Sequence, residues 1–118
     1  MDKTGVYIGV DIGTQGVRLL MKDENGETRF TGDRKFKGAD EDIRIRQNPE
    51  EWWKLLDALF SEAAAQLGES FYPRARFRAI GVTSTSGTII PMSKENEILY
   101  GAIMYSDPRS AEFAPMVR

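Results

Sequence analysis

The 118-residue sequence is 41% hydrophobic and 29% charged, which is ordinary for one soluble globular domain. Its 18 acidic and 16 basic residues leave no basic face for nucleic acid, and the absence of cysteine and histidine excludes disulfides, thiol nucleophiles, most zinc sites and the commonest general base. No apolar run approaches the ~18 residues of a membrane helix and no secretory leader opens the chain, so we expect a cytoplasmic protein without a membrane partner.

The first predicted element is a β-hairpin. Apolar and other residues alternate through residues 6–11, which is the period of a strand with one apolar face. A turn with Gly13 and Gly16 follows, and alternation resumes at Val17, so a second strand returns beside the first. Glycines in a turn allow unusual backbone dihedrals, and consecutive N–H groups can then point into one concavity that holds an anion.

The side chains around this turn suit a phosphate and a magnesium ion. Thr14 and Gln15 add donors, Arg18 adds a cation, and Asp11 adds a carboxylate that would hold Mg²⁺ through water. Phosphoryl transfer depends mostly on positioning and electrostatics, so it needs neither histidine nor cysteine. The alternative is an ordinary glycine-rich hairpin that binds nothing. A P-loop is excluded because the chain has no Gly-Lys-Ser/Thr, and a Rossmann turn because a strand follows Gly16.

A third antiparallel strand is predicted next. Asn25-Gly26 favours a type I′ hairpin turn within residues 22–27, and a strand should follow over residues 28–36, although Gly32 and Asp33 interrupt it. Residues 37–47 are polar and irregular and predict a loop, in which alternating isoleucines would suit a short strand.

A long amphipathic helix is predicted after this loop. Asn48 can cap it, Pro49 suits its first position, and the two glutamates that follow favour its positive end. Gly68 stops the helix. We expect both tryptophans to pack in the core and not to form a sugar-stacking platform. The apolar face consists of Trp52, Leu55, Leu56, Leu59, Phe60, Ala63 and Leu67.

The helix should connect two parallel strands. Residues 69–76 form a connector, and the alternating arginines that begin there are typical of a solvated strand edge. Residues 77–83 predict a buried strand beside the first one and parallel to it, because parallel pairing requires a crossover and the helix supplies one.

Polar residues follow this strand. Residues 83–88 carry five hydroxyls and a glycine, and sugar recognition needs such a density of hydrogen-bonding groups. The alternative is a Ser/Thr-rich turn that satisfies its own backbone. Further along, Asp107-Pro108-Arg109 predicts the start of a last helix. Asp107 and Arg109 would either reach the pocket, or cap the helix and pair with a carboxylate.

Several segments together resemble the FGGY carbohydrate kinases, a family with the ribonuclease H-like (actin-like ATPase) fold. The turn with Gly13 and Gly16 is similar to the family's first phosphate motif, from which Gln15 is a modest departure. The resembling segments are residues 11–18, 47–53, 80–83, 88–92, 94–97 and 102–109. The resemblance implies an α/β fold whose mixed sheet begins with three antiparallel strands and continues with a parallel strand after a crossover helix.

The resemblance also implies a function, which is the ATP- and Mg²⁺-dependent phosphorylation of a sugar hydroxyl, on a ketopentose such as ribulose or xylulose. The polar stretch lacks both the Gln-Met-His-Gly type of xylulose kinases and the Arg-Glu pair of glycerol kinases. Alternatives are a glycerol, gluconate or other polyol kinase, and a non-catalytic actin-like nucleotide-binding module. The implied roles are metal binding for Asp11, phosphate binding for Gly13, Thr14, Gln15 and Arg18, and sugar binding for Ser84, Thr85, Ser86, Gly87, Thr88 and Asp107.

By the same resemblance, residues 1–118 form the first part of the N-terminal, sugar-binding domain. The remainder of that domain, the catalytic aspartate and the C-terminal nucleotide domain would lie outside this chain, so we expect no catalytic residue in it and no activity from it alone. One sheet face would be left without a helix, and self-association through that face is expected.

Overall fold

The fold is a mixed β-sheet with one helix packed on it. The structure is a computed structural model, which describes residues 3–37 and 42–117. The strands are β1 (Thr4–Ile12), β2 (Gly16–Asp23), β3 (Thr28–Lys35), β4 (Arg46–Gln47), β5 (Ala75–Ser84) and β6 (Ala102–Ile103), and the helices are α1 (Pro49–Leu67) and two short 3₁₀ helices at Tyr72–Arg74 and Ala111–Met116. The main sheet has the order β3-β2-β1-β5, while β4 and β6 form a separate antiparallel pair.

The strand directions agree with the predicted mixed sheet. Strands β1, β2 and β3 pair antiparallel in sequence, and β5 pairs parallel with β1. The crossover from β3 to β5 contains α1, as the parallel pairing requires. Part of the loop predicted over residues 37–47 lies outside the described residues, and its last two residues are β4.

The core lies between α1 and the antiparallel half of the sheet. Helix α1 contacts β2 and β3. Burying one large apolar side chain in this core contributes roughly 1.5–3 kcal/mol to the free energy of folding. Gly32 allows this approach, because a Cβ there would lie 3.0 Å from Cδ2 of Leu59 and 2.9 Å from Cζ of Phe30. The largest fully buried side chains are those of Leu19, Met21, Leu59, Val6 and Val17.

Helix α1 begins and ends where the sequence predicts. The Asn48 side chain accepts a hydrogen bond from the backbone N–H of Glu50, and Gly68 caps the other end with a φ of 73°. Trp52 packs against the core, but Trp53 is 73% exposed, so the core prediction is wrong for the second tryptophan. Within the described residues, no helix combines the length and the apolar character needed to cross a membrane.

The turn between β2 and β3 differs in type from the prediction. Gly26 has a φ of 81° but Asn25 does not have a positive φ, which a type I′ turn would require. Instead, the N–H of Gly26 donates to the carbonyl of Asp23 over 2.9 Å, and the Asp23 carboxylate accepts the N–H groups of Asn25 and Glu27. Hydrogen bonds that the carboxylate of this buried aspartate accepts therefore shape the four-residue connection, residues 24–27.

Strand β5 is exposed, which corrects the prediction that it is buried. Ile80 is 56% exposed and Val82 is 64% exposed, although Val82 pairs with the buried Val10 of β1. The reason is that α1 lies over β2 and β3 and leaves the β5 side of the same sheet face uncovered. Arg76 and Arg78 are exposed on this edge strand, as predicted, and such charges discourage edge-to-edge pairing.

The segment after β6 also differs from the prediction. An α-helix was expected from Asp107, but the described chain there forms a turn followed by the 3₁₀ helix Ala111–Met116. Pro115 lies inside that helix and cannot donate a backbone hydrogen bond, which opposes an α-helix. The Asp107 carboxylate does accept the N–H of Arg109 over 2.9 Å, so the local hydrogen bond of a cap is present without the helix.

We propose that the 118-residue chain self-associates through Ile80 and Val82, which lie on the α1 side of the sheet and not on the helix-free face for which association was expected. Replacing both side chains by lysine should shift the chain towards monomer, because two charges would have to be buried in the contact. Analytical ultracentrifugation over a range of protein concentrations measures this shift.

Ala65→Lys is a control, because Ala65 is exposed on α1, which packs on β2 and β3. Its association should equal that of the unmodified chain. A monodisperse, cooperatively unfolding monomer at high concentration of the unmodified chain would contradict this proposal.

Candidate functional site

The parallel pairing of β1 with β5 brings two polar segments to the same edge of the sheet. Asp11 pairs with Thr83 and Ile12 with Ser84, so both strands end at the same level. The N–H of Thr85 then donates to the carbonyl of Ile12 over 3.2 Å. Residues 13–16 and residues 84–88 therefore begin side by side at the carboxyl ends of neighbouring strands, where ligands bind in open α/β sheets.

The turn at residues 13–16, called the phosphate turn below, holds two free backbone donors. The N–H of Gly13 donates to the carbonyl of Gly16 over 2.9 Å, and the carbonyl of Gln15 accepts the N–H of Phe36 over 2.9 Å. No acceptor in residues 3–37 or 42–117 takes up the N–H of Thr14 or of Gln15. Two consecutive unpaired N–H groups in a turn are the kind of donors that an anion-binding concavity uses.

The two glycines of the turn act differently from the prediction. Positive φ angles occur at Gly26, Gly68 and Gly87 but not at Gly13 or Gly16, so the turn does not depend on unusual dihedrals. Gly16 is required for space, because a Cβ there would lie 2.1 Å from the carbonyl oxygen of Arg34. Strand β3 thus closes directly on the turn.

Charged side chains surround the phosphate turn. A pocket of about 220 Å³ is lined by the turn, by Asp11 and Arg18, and by the end of β3 at Asp33, Arg34 and Lys35. Arg18 lies between Asp11 and Asp33 on the neighbouring strands, and within the described part of the chain it forms no ion pair. Its guanidinium is exposed and can reach an anion in the pocket.

The β3 end was not foreseen as part of this pocket. Arg34 forms an ion pair with Glu62 of α1, which ties β3 to the helix, whereas Lys35 is exposed beside Gly16. No motif marks these residues. Their only signal is the strand pairing of β2 with β3, which places the end of β3 opposite the turn.

The metal role of Asp11 stays a prediction. One of its carboxylate oxygens lies 3.9 Å from the position of a Cβ on Gly13, so the carboxylate faces the turn. Among the described residues, no group of three or more acidic side chains is placed to hold a metal ion directly. A single carboxylate suits Mg²⁺, which keeps several waters and takes its remaining ligands from substrate phosphates.

A second cleft, of about 200 Å³, lies on the other side of the end of β1. Of the predicted sugar-binding residues, Ser84, Thr85, Gly87 and Thr88 line it, together with Gln47 and Trp52 among others. Ser86 is exposed and does not line the cleft. The Thr88 hydroxyl donates to the carbonyl of Thr85 over 2.9 Å, so one of the hydroxyls satisfies its own turn. Those of Ser84 and Thr85 have no hydrogen-bond partner among the described residues.

Gly87 shapes the rim of this cleft. Its φ is 71°, in the left-handed region that favours glycine, and a Cβ there would lie 3.1 Å from Cβ of Tyr105. The turn at residues 84–88 is therefore held against the segment that follows β6.

Asp107 lies outside both pockets. Its carboxylate pairs with Arg109, and the hydrogen bond from that guanidinium lowers the pKa of Asp107, so the group is ionised at neutral pH. Arg109 and Arg46 both lie over the ring of Tyr100, at 5.3 and 4.6 Å from its centroid. This arrangement holds Asp107 in a structural cluster, and its role towards a sugar stays a prediction.

The sequence comparison establishes the family. Residues 6–118 match the N-terminal domain of the FGGY family of carbohydrate kinases. The chain therefore belongs to this family. It is 27% identical to the xylulose kinase of Escherichia coli (strain K12) and 28% identical to the glycerol kinase of Aquifex aeolicus (strain VF5), in each case over 91% of the chain. It spans 21% of the length of each of these relatives.

Solved structures agree on the fold. Xylulose kinase from Rhodospirillum rubrum superposes with a TM-score of 0.83 at 22% identity over 96% of this chain and 23% of that chain. Glycerol kinase from Plasmodium falciparum, solved with ADP, gives 0.81 at 21% identity over 98% and 23%. The fold is thus the partial N-terminal domain of the actin-like ATPase fold predicted from the sequence.

Replacing Gly16 by alanine should destabilise the protein by about 1–3 kcal/mol, the usual effect of forcing extra volume into a packed site. The added Cβ would meet backbone atoms of Arg34 and Lys35 at 2.1 and 2.9 Å, so β3 would have to move away from the phosphate turn. Urea unfolding at low protein concentration measures this loss.

Gly81→Ala is the matched control, because a Cβ on that β5 glycine meets nothing within 4 Å. Equal stability of the two variants would show that the contact between β3 and the turn is looser than described.

Proposed function

We propose that this chain is the first part of the N-terminal domain of a longer ATP-dependent carbohydrate kinase, which phosphorylates a sugar hydroxyl. The main support is the carboxyl end of the parallel strands β1 and β5. There, a turn with two unpaired N–H groups begins next to a hydroxyl-rich segment. Phosphoryl transfer needs a bound phosphate and an acceptor hydroxyl in neighbouring positions. The chain spans about a fifth of its curated relatives, which supports a longer protein.

The phosphate turn would bind the nucleotide. Mg·ATP, when bound, supplies the phosphoryl group. Asp11 would hold the Mg²⁺ through water, and the N–H groups of Thr14 and Gln15 would donate to phosphate oxygens. Gly13 closes the turn through its bond to Gly16, and Arg18 would balance the negative charge. Thr14, Gln15 and Arg18 would thus keep the phosphate-binding roles that the resemblance implies, whereas Gly13 would shape the turn and not donate to phosphate.

The second cleft would bind the sugar. Ser84, Thr85 and Thr88 offer hydroxyls there, and Gly87 keeps the wall of the cleft close to Tyr105. Ser86 and Asp107 lie outside the cleft in this structure, so their contact with a sugar would require a movement or further chain. No catalytic residue is assigned within residues 1–118. The base that accepts the hydroxyl proton would come from the rest of the protein.

A ketopentose such as ribulose or xylulose is the proposed substrate class. Relatives named xylulose kinase support a ketopentose, and the glycerol kinase relative supports a polyol as the second candidate. A gluconate kinase from Lactobacillus acidophilus shares the fold at 15% identity, which bears on the fold alone. A non-catalytic actin-like module is less well supported, because a nucleotide switch has no need of a hydroxyl-lined second cleft. We place the enzyme in the cytoplasm, where ATP is supplied.

In the complete protein, Asp11→Ala should lower kcat for sugar phosphorylation by about two to three orders of magnitude, because Asp11 stabilises the charge of the transferring group through the metal. KM for the sugar should stay nearly unchanged. Coupled ADP-release assays with pentuloses, hexuloses and polyols measure both quantities and identify the substrate.

Asp33→Asn is the matched control, since Asp33 also borders the pocket but lies across Arg18 from the metal position. It should change kcat much less. Near-normal kcat for Asp11→Ala would contradict the metal role, and turnover by residues 1–118 alone would contradict the assignment of the base to another part of the protein.

A further inference from the structure

The Gln47 side chain connects the phosphate turn to the sugar-side cleft. It is 5% exposed, and its Nε2 donates to the carbonyl of Thr14 over 3.1 Å and to the carbonyl of Ile43 over 3.2 Å. Its Oε1 accepts the indole N–H of Trp52 over 3.0 Å. Gln47 and Trp52 both line the cleft beside Ser84 and Thr85. One buried amide therefore joins the phosphate turn, the turn before β4 and helix α1.

The direction in which this amide points is fixed by its partners. The Trp52 indole can only donate, so the amide atom that faces it must be the oxygen. The two carbonyls can only accept, so the atom that faces them must be the NH₂ group. Both amide hydrogens and one oxygen lone pair are thus in use, and flipping the amide would leave three part-buried groups, the two carbonyls and the indole N–H, without this partner.

The bond to Thr14 determines where the next N–H points. The carbonyl of Thr14 and the N–H of Gln15 belong to one peptide group, which is planar and trans, so the two point in opposite directions. Because the Thr14 carbonyl is held towards Gln47, the Gln15 N–H is directed to the other side of the turn. That N–H has no acceptor among the described residues.

We propose that Gln47 is a positioning residue that orients the Thr14–Gln15 peptide, so that the Gln15 N–H faces the phosphate pocket. The inference rests on the proposed function of the phosphate turn, and it assigns to a residue outside that motif the task of keeping the turn ready for an anion. In this role Gln47 acts through the Thr14 carbonyl and not by direct contact with phosphate. Trp52 supports it by holding the amide oxygen.

Binding of tripolyphosphate to the complete protein, measured by calorimetry without sugar, tests the proposal and needs no turnover. Gln47→Met keeps the size of the side chain but removes its donors, so affinity should fall about tenfold or more, the effect of losing one hydrogen bond to a charged group. Trp52→Phe should give a smaller loss in the same direction, because the amide keeps its two carbonyl partners.

Gln47→Glu makes the tripolyphosphate affinity depend on pH, which a purely structural role of Gln47 would not do. At pH 8 the introduced carboxylate would face two carbonyl oxygens and turn the peptide away, so the loss should exceed that of Gln47→Met. At pH 5 a protonated carboxyl regains one O–H donor, and the deficit relative to the unmodified protein at the same pH should shrink.

Leu67→Ala is the matched control for stability, because Leu67 lies at the far end of α1 and lines a pocket remote from the turn. It should lower the melting temperature but leave tripolyphosphate affinity unchanged. Affinities of Gln47→Met and Trp52→Phe within twofold of the unmodified protein would overturn the proposal, as would an unmodified protein that binds no tripolyphosphate. Tripolyphosphate binding without phosphorylation of any sugar would refute the proposed function and leave this inference standing.

Discussion

The parallel pairing of β1 with β5 is the constraint on which the site depends. It sets Asp11 beside Thr83 and Ile12 beside Ser84, so the phosphate turn and the hydroxyl-rich segment leave the sheet at one level. An antiparallel partner would place the hydroxyls at the opposite end of β1. Helix α1 allows this parallel pairing because it carries the chain back across the sheet. Its packing against β2 and β3 stabilises the arrangement of the strands.

Two further contacts turn this frame into a defined pocket. Strand β3 closes on Gly16, where only a hydrogen atom fits next to the Arg34 carbonyl. On the other side, the buried Gln47 amide holds the Thr14 carbonyl. The phosphate turn is therefore fixed from both sides, and its free N–H groups keep one direction. Preorganised donors of this kind stabilise charge without reorganisation during the reaction.

The sequence predicted the elements well because their signals are local. The caps of α1 at Asn48 and Gly68 and the alternation of β1 and β2 depend on neighbouring residues only. The exposure of β5 was not predictable in this way, because Ile80 and Val82 have the composition of a buried strand and only the position of α1 leaves them uncovered.

The members of the site outside the motif depend on long-range pairing. A register shift between Met21 and Lys22 places Asp33, and not Gly32, opposite Arg18, and no local pattern marks such a bulge. Gln47 belongs to a segment that resembles a family motif, but its partners Thr14 and Trp52 come together only in the folded chain.

A crystal structure of the complete protein with a non-hydrolysable ATP analogue and a ketopentose tests the central claim most directly. The account predicts phosphate oxygens within hydrogen-bond distance of the Thr14 and Gln15 N–H groups and the sugar against Ser84 and Thr85. Phosphates bound away from this turn would contradict it.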